Sequence, residues 1–174
     1  MPCYEVSGEY ISLFVANKLA YFLQRMGEKN FKKLKFEAHH YGPYSVQVSH
    51  ILHTVNGKYL KGLEQMNAKA FEPLELQYDK IQEVSEYVKL QLTAEQRTKL
   101  SNLVKLIDGF QSALSLEILA TVDFIRKENP GIQYEEIVKT IQDWSSRKKN
   151  LFQESYIEIA NNHLLANHNL LQIS

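Results

Sequence analysis

The chain has 174 residues, 44% of them hydrophobic and 23% charged, with a mean hydropathy of −0.33. This composition excludes collagen-like, low-complexity and disordered classes. Twenty lysines and arginines balance twenty aspartates and glutamates, so the overall basic footprint of a generic nucleic-acid binder is missing.

No apolar run approaches the roughly 20 residues that span a bilayer, and no secretory leader pattern is seen. The single cysteine, Cys3, rules out intrachain disulfides and thiolate zinc clusters, and a cytoplasmic protein without membrane contact is expected. The charge is unevenly spread. Arg25 to Lys35 carries five basic residues against Glu28, while Glu64 to Glu86 carries six acidic residues against Lys69 and Lys80. Solvated helix faces are the ordinary explanation of such runs.

In chain order, residues 1–6 read as a flexible lead-in. Ser7 is the expected cap of a helix to about Met26, with Gly27 just past its end. Its wide apolar arc, from Ile11 through Val15, Leu19 and Phe22, predicts a central helix buried on more than one side. Leu34–Ala38 alternates as a strand does. His39–Tyr44 then reads as a turn into a helix striped by Tyr44, Val48, Ile51, Leu52 and Val55 and stopped by Asn56-Gly57. Tyr59–Leu63 and Phe71–Leu76 predict a β-hairpin, with Pro73 on an edge strand.

The rest reads as helical. Asp79 caps a helix facing inward through Ile81, Val84 and Val88. Thr93-x-x-Gln96 is a capping box for the next, striped by Leu100, Leu103, Val104 and Ile107. Ser112 or Ser115 opens a third, ended by Asn129-Pro130-Gly131. A fourth spans about Tyr134 to Trp144, and a fifth starts near Phe152. The fold class predicted is mainly α with a little β: a winged-helix-like half over about 7–78, then a helical bundle half over about 79–170, in one domain over 7–174.

Few residues signal chemistry. His50 and His53 share a helix face and His39-His40 lie upstream, but no metal-ligand motif such as H-E-x-x-H occurs, so no metal is expected. No nucleophile elbow and no phosphate-cradling glycine loop is present, so neither catalytic residues nor a cofactor are expected. Glu117 stands out as the only ionisable residue between Asp108 and Asp123, in a segment apolar on most sides. If buried it needs a partner. If Ser115 is the cap, it sits in the first turn and complements the helix dipole.

An ordered set of blocks carries a resemblance. Lys18-Leu19-Ala20-Tyr21-Phe22-Leu23-Gln24 is followed by Phe36, by His40-Tyr41-Gly42-Pro43-Tyr44, and by Gly57-x-Tyr59-x-x-Gly62. Glu117-Ile118-Leu119-Ala120-Thr121-Val122 and Trp144-x-x-Arg147-Lys148-x-x-x-Phe152 come later. From about residue 10 to 165 this set resembles the C-terminal, toxin-binding domain of the DarG antitoxins of DarT–DarG toxin–antitoxin systems. The front half also resembles Panacea-type antitoxin domains.

DarT-like toxins attach ADP-ribose to thymine in single-stranded DNA, and DarG-like proteins carry an ADP-ribosyl glycohydrolase macrodomain as well as the toxin-binding domain. The resemblance therefore implies a non-catalytic domain, either part of a longer antitoxin or a trimmed one, that neutralises a DarT-like toxin by occluding its DNA site. No ADP-ribose release, no direct binding of nucleic acid and a monomeric free state are expected. The alternatives are a nucleic-acid-binding winged-helix regulator and a Panacea-like adaptor.

Local mimicry of DNA by acidic and aromatic side chains would suit such a toxin. The expected toxin-facing residues are His40, Tyr41, Tyr44, Tyr59, Lys61, Glu72 and Glu75, with Glu117 as a buried or interfacial charge.

Overall fold

The computed structural model describes residues 11–64 and 69–171. The chain is mainly helical with two small antiparallel hairpins. The first helix, α1 (Leu13–Arg25), has ten consecutive buried residues from Leu13 to Phe22. Ser12, not Ser7, is its cap, with Oγ accepting from the Val15 N–H at 3.3 Å. Ser7 and the expected lead-in lie outside the described residues. Within α1, Asn17 is fully buried and made useful: its Oδ1 accepts from the Ser45 N–H at 2.8 Å, which fixes the entrance of the next helix.

Strands β1 (Glu37–His39) and β2 (Gly42–Tyr44) pair antiparallel, with Ala38 opposite Pro43. Here the structure corrects the sequence reading. His39–Tyr44 is a hairpin rather than a turn into a helix, and α2 (Val46–Val55) begins two residues after Tyr44. In a two-stranded sheet the missing Pro43 N–H costs no ladder bond that cannot be given up.

The second hairpin joins β3 (Leu60–Lys61) to β4 (Glu75–Leu76), the pairing expected from the sequence in shortened form. Pro73 falls outside β4 and bridges Ser12 instead.

The helical remainder comprises α3 (Ile81–Leu90), α4 (Ala94–Leu106), α5 (Ala113–Glu128), α6 (Tyr134–Trp144), α7 (Ser146–Leu151) and α8 (Glu154–Ala166). The Thr93–Gln96 capping box forms as expected. Asp79 instead lies in a 3-10 turn ahead of α3, whose cap is Lys80. The expected inward face of α3 is not inward: Ile81 and Val84 are 47% and 43% exposed and the helix buries no residue. Nor does Val104 turn inward, because α4 lays Lys99, Leu103 and Leu106 against the core.

The core lies between α1 and α5, with α8 packed along α5. Every residue of α5 from Leu116 to Ile125 is buried. An all-round buried helix tolerates polar side chains only where they find partners, and α5 carries Glu117, Thr121 and Asp123 there.

Candidate functional site

The Glu117 carboxylate organises the buried polar cluster nearest the expected toxin-facing turn. Ser112 is the cap of α5, its Oγ accepting from the Ser115 N–H, so Glu117 lies beyond the first turn and the dipole-complement reading falls. At 1% exposed, it takes Lys148 Nζ and Arg147 Nη1, each at 2.7 Å, on one oxygen. Both cations come from α7, a helix the sequence reading did not foresee. Ser145 caps it, with Oγ accepting from the Lys148 N–H, and this turns Lys148 inward. Lys148 Nζ also reaches the Thr121 hydroxyl at 3.4 Å and lies 4.5 Å from the Phe152 ring centre.

A third cation approaches from α1. Lys18 Nζ donates to the Pro43 carbonyl at 2.7 Å and sits 4.8 Å over the Phe14 ring. Burial drives the Lys18 pKa down to about 7, Glu117 only partly offsetting it and Lys148 adding to it. Burial likewise lowers the Lys148 pKa, opposed by the carboxylate. One carboxylate thus stands against three basic side chains, and burial weakens the hold of Lys18 on its proton, bringing its pKa to about 7.

Gly42 makes this approach possible. Its φ is +84°, and a Cβ there would lie 2.6 Å from Thr121 Oγ1 and 3.8 Å from Lys18 Nζ. Only glycine lets the β2 backbone close on the cluster.

The cluster carries an aromatic surface. Tyr41, half-buried in the β1–β2 turn, has Arg147 Cζ 4.7 Å from its ring centre. Phe71 and Phe14 meet the same ring edge-on at 4.8 and 6.2 Å, and His40 does so at 4.8 Å from the exposed side. Phe71, 43% exposed, stacks on Phe14 at 4.7 Å. Trp144 Nε1 donates to the His39 carbonyl at 3.1 Å and ties α6 to the hairpin.

Of the residues expected from the sequence, His40, Tyr41 and Glu117 are brought together, Arg147 linking the last two. Tyr44 contacts the His39 ring at 5.1 Å. Glu72 adjoins Phe71 and its carboxylate accepts from the Lys69 N–H. Lys61 and Glu75 face each other on β3 and β4, both exposed. Tyr59 is engaged elsewhere: its hydroxyl donates to Glu83 at 2.7 Å.

The sequence reading missed Lys18, Thr121 and Phe71 as parts of this site. For Lys18 a signal existed: it lies on the same helical face as Phe14, Phe22 and Arg25, where no lone lysine sits without a partner. A second buried set, Asp123 with Tyr21 and Arg25 at 2.7 and 2.8 Å, was missed as well. Burial and then Asp123 push the Tyr21 pKa well above 10. Among the described residues no group of three or more histidine, cysteine and carboxylate side chains could hold a metal ion, and no helix is long and apolar enough to cross a membrane.

The chain is 29% identical over 166 residues, 93% of its length, to a DNA ADP-ribosyl glycohydrolase of Thermus aquaticus. It is 23% identical over 158 residues, 89% of its length, to proteins of the same name from Mycobacterium tuberculosis and Mycobacterium bovis. The chain spans 43% to 44% of the length of these relatives. No protein-family model matches it.

These matches correct the functional expectations. The relatives are named for an enzymatic activity and not as a toxin-binding segment. The readings of a separate C-terminal toxin-binding domain, of a purely non-catalytic neutralising role, and of a chain outside enzymatic function are overturned by that finding.

Proposed function

We propose that the chain acts in the removal of ADP-ribose from DNA, within a protein of the DNA ADP-ribosyl glycohydrolase kind, and that a DarT-like toxin is its partner. The observation that carries this reading is the similarity to the Thermus aquaticus glycohydrolase over 93% of the chain. The Tyr41 surface supports it chemically. Aromatic faces with one guanidinium are the equipment that meets bases and phosphates, or a protein surface shaped to receive them.

Glu117 and Asp123, at 1% and 3% exposed, are not displayed to a substrate; Glu117 holds the surface from beneath. The partner-facing residues proposed are His40, Tyr41, Tyr44, Lys61, Glu72 and Glu75, with Tyr59 at their margin.

Cells producing a DarT-like toxin at tolerated levels accumulate ADP-ribosylated DNA. Co-producing the protein is expected to lower that signal, and the toxin is expected to co-purify with the protein. An unchanged signal overturns the ADP-ribose reading. Absence of the toxin from the purified protein overturns the partner reading.

A further inference from the structure

Away from the Tyr41 surface, a cavity of about 180 Å³ opens where the C-terminal ends of α1, α5 and α8 meet the loop around Pro130. It is larger than the roughly 150 Å³ that suffices for a benzene ring. Leu164, Leu165 and Ile132 give it an apolar wall, and Arg25, Arg126 and Lys127 give it three cations.

Two of these cations are spoken for. Arg25 is paired with Asp123, and Lys127 with Glu128 at 2.6 Å. Arg126 is not. Its Nη1 donates at 2.8 Å to Asn161, a neutral side chain only 6% exposed, and among the described residues no carboxylate pairs with it. A half-buried guanidinium oriented by a buried amide, beside an apolar hollow, has the chemistry that receives an anionic headgroup. A role confined to the α5 dipole would need neither the amide nor the hollow.

The geometry points to a binding site for a small organic anion. Its phosphate or carboxylate group meets Arg126, and its apolar body lies on Leu164, Leu165 and Ile132. The site goes beyond the proposed function and does not depend on it.

Calorimetric titration of the full chain with phenyl phosphate, phenylacetate and neutral phenol tests this. Saturable binding of at least one anion, not shared by phenol and about tenfold or more weaker in Arg126→Met, is the expected result, since the lost contact is a charge-assisted one. The anion that binds names the headgroup. Binding of neither anion, equal binding of phenol, or unchanged affinity in Arg126→Met overturns the proposal. Should Arg126→Met fail to fold, Leu165→Glu, at a position 46% exposed, places a like charge at the cavity. Anion binding is then expected to vanish, and binding that persists overturns the site.

Discussion

Glu117 makes the sharpest single-residue case. Removing one member of a buried ion pair leaves the other charged and unpaired, which costs about 3–5 kcal/mol. Glu117→Gln is therefore expected to destabilise the chain by about that much in denaturant unfolding. Replacing the pair together, as Glu117→Leu with Lys148→Met, is expected to cost less than the two single changes summed, because the fully buried Lys148 is no longer left unpaired and Arg147, whose side chain is 27% exposed, keeps its contact with water. Additive costs would show that the pair is not coupled.

Lys18 gives the pH dependence. Its folded pKa is about 7 against 10.5 in the unfolded chain. Between these values the unfolded chain holds a proton that the folded chain has released, so this residue makes stability rise with pH across that window. Below about 7 both states are protonated and the contribution is flat. Unfolding free energies measured from pH 6 to 10 should climb in the wild type and climb less in Lys18→Met, with a residual slope from Lys148. Equal slopes in the two proteins would contradict the assignment.

At the scale of elements, Gly42 and Gly57 form a natural pair. Both have positive φ, +84° and +80°, but a Cβ at Gly57 meets nothing within 4 Å while one at Gly42 strikes Thr121. Gly57→Ala is expected to cost about 1 kcal/mol from backbone strain alone. Gly42→Ala should cost clearly more by thermal unfolding, and equal costs would mean β2 can retreat from α5.

The helices show what a sequence discloses and what it withholds. Periodicity located α1, α4, α5 and α6 because their apolar arcs are local signals, and the Thr93 and Ser112 caps marked the starts of α4 and α5. Nothing local marked α7, whose six residues are mostly polar and whose Lys148 is buried through a contact thirty-one positions away. The α3 stripe misled for the opposite reason: Ile81 and Val84 have helical spacing, yet among the described residues no element covers them. Lacking any buried residue, α3 is expected to exchange its amide hydrogens well before α5 does. Protection of α3 matching that of α5 would show that it is covered in solution.

At the scale of the molecule, the candidate site is assembled from both halves of the chain. Lys18 and the hairpin come from the front, Glu117, Arg147 and Trp144 from the helical part, and their contacts close over about a hundred residues of sequence. The sequence displayed the separate pieces, Tyr41-Gly42-Pro43 and Glu117 among them, but not Arg147 bridging the two. That is a property of packing, which no spacing rule encodes. Lys61 and His40 are exposed and bear little of this packing. Lys61→Glu and His40→Glu should leave the melting temperature unchanged while weakening capture of a DarT-like toxin. Unaltered capture would move the partner's contact elsewhere.

The central claim is that the chain acts in freeing DNA of ADP-ribose. The most direct measurement places this chain in the Thermus aquaticus relative in exchange for the stretch it matches. Release of free ADP-ribose from purified, ADP-ribosylated single-stranded DNA is then followed by chromatography. Release within a few-fold of the relative's own rate is the predicted result, with Glu117→Gln lowering it wherever the fold is weakened. Release no faster than in buffer, from a chimera that folds, would contradict the claim.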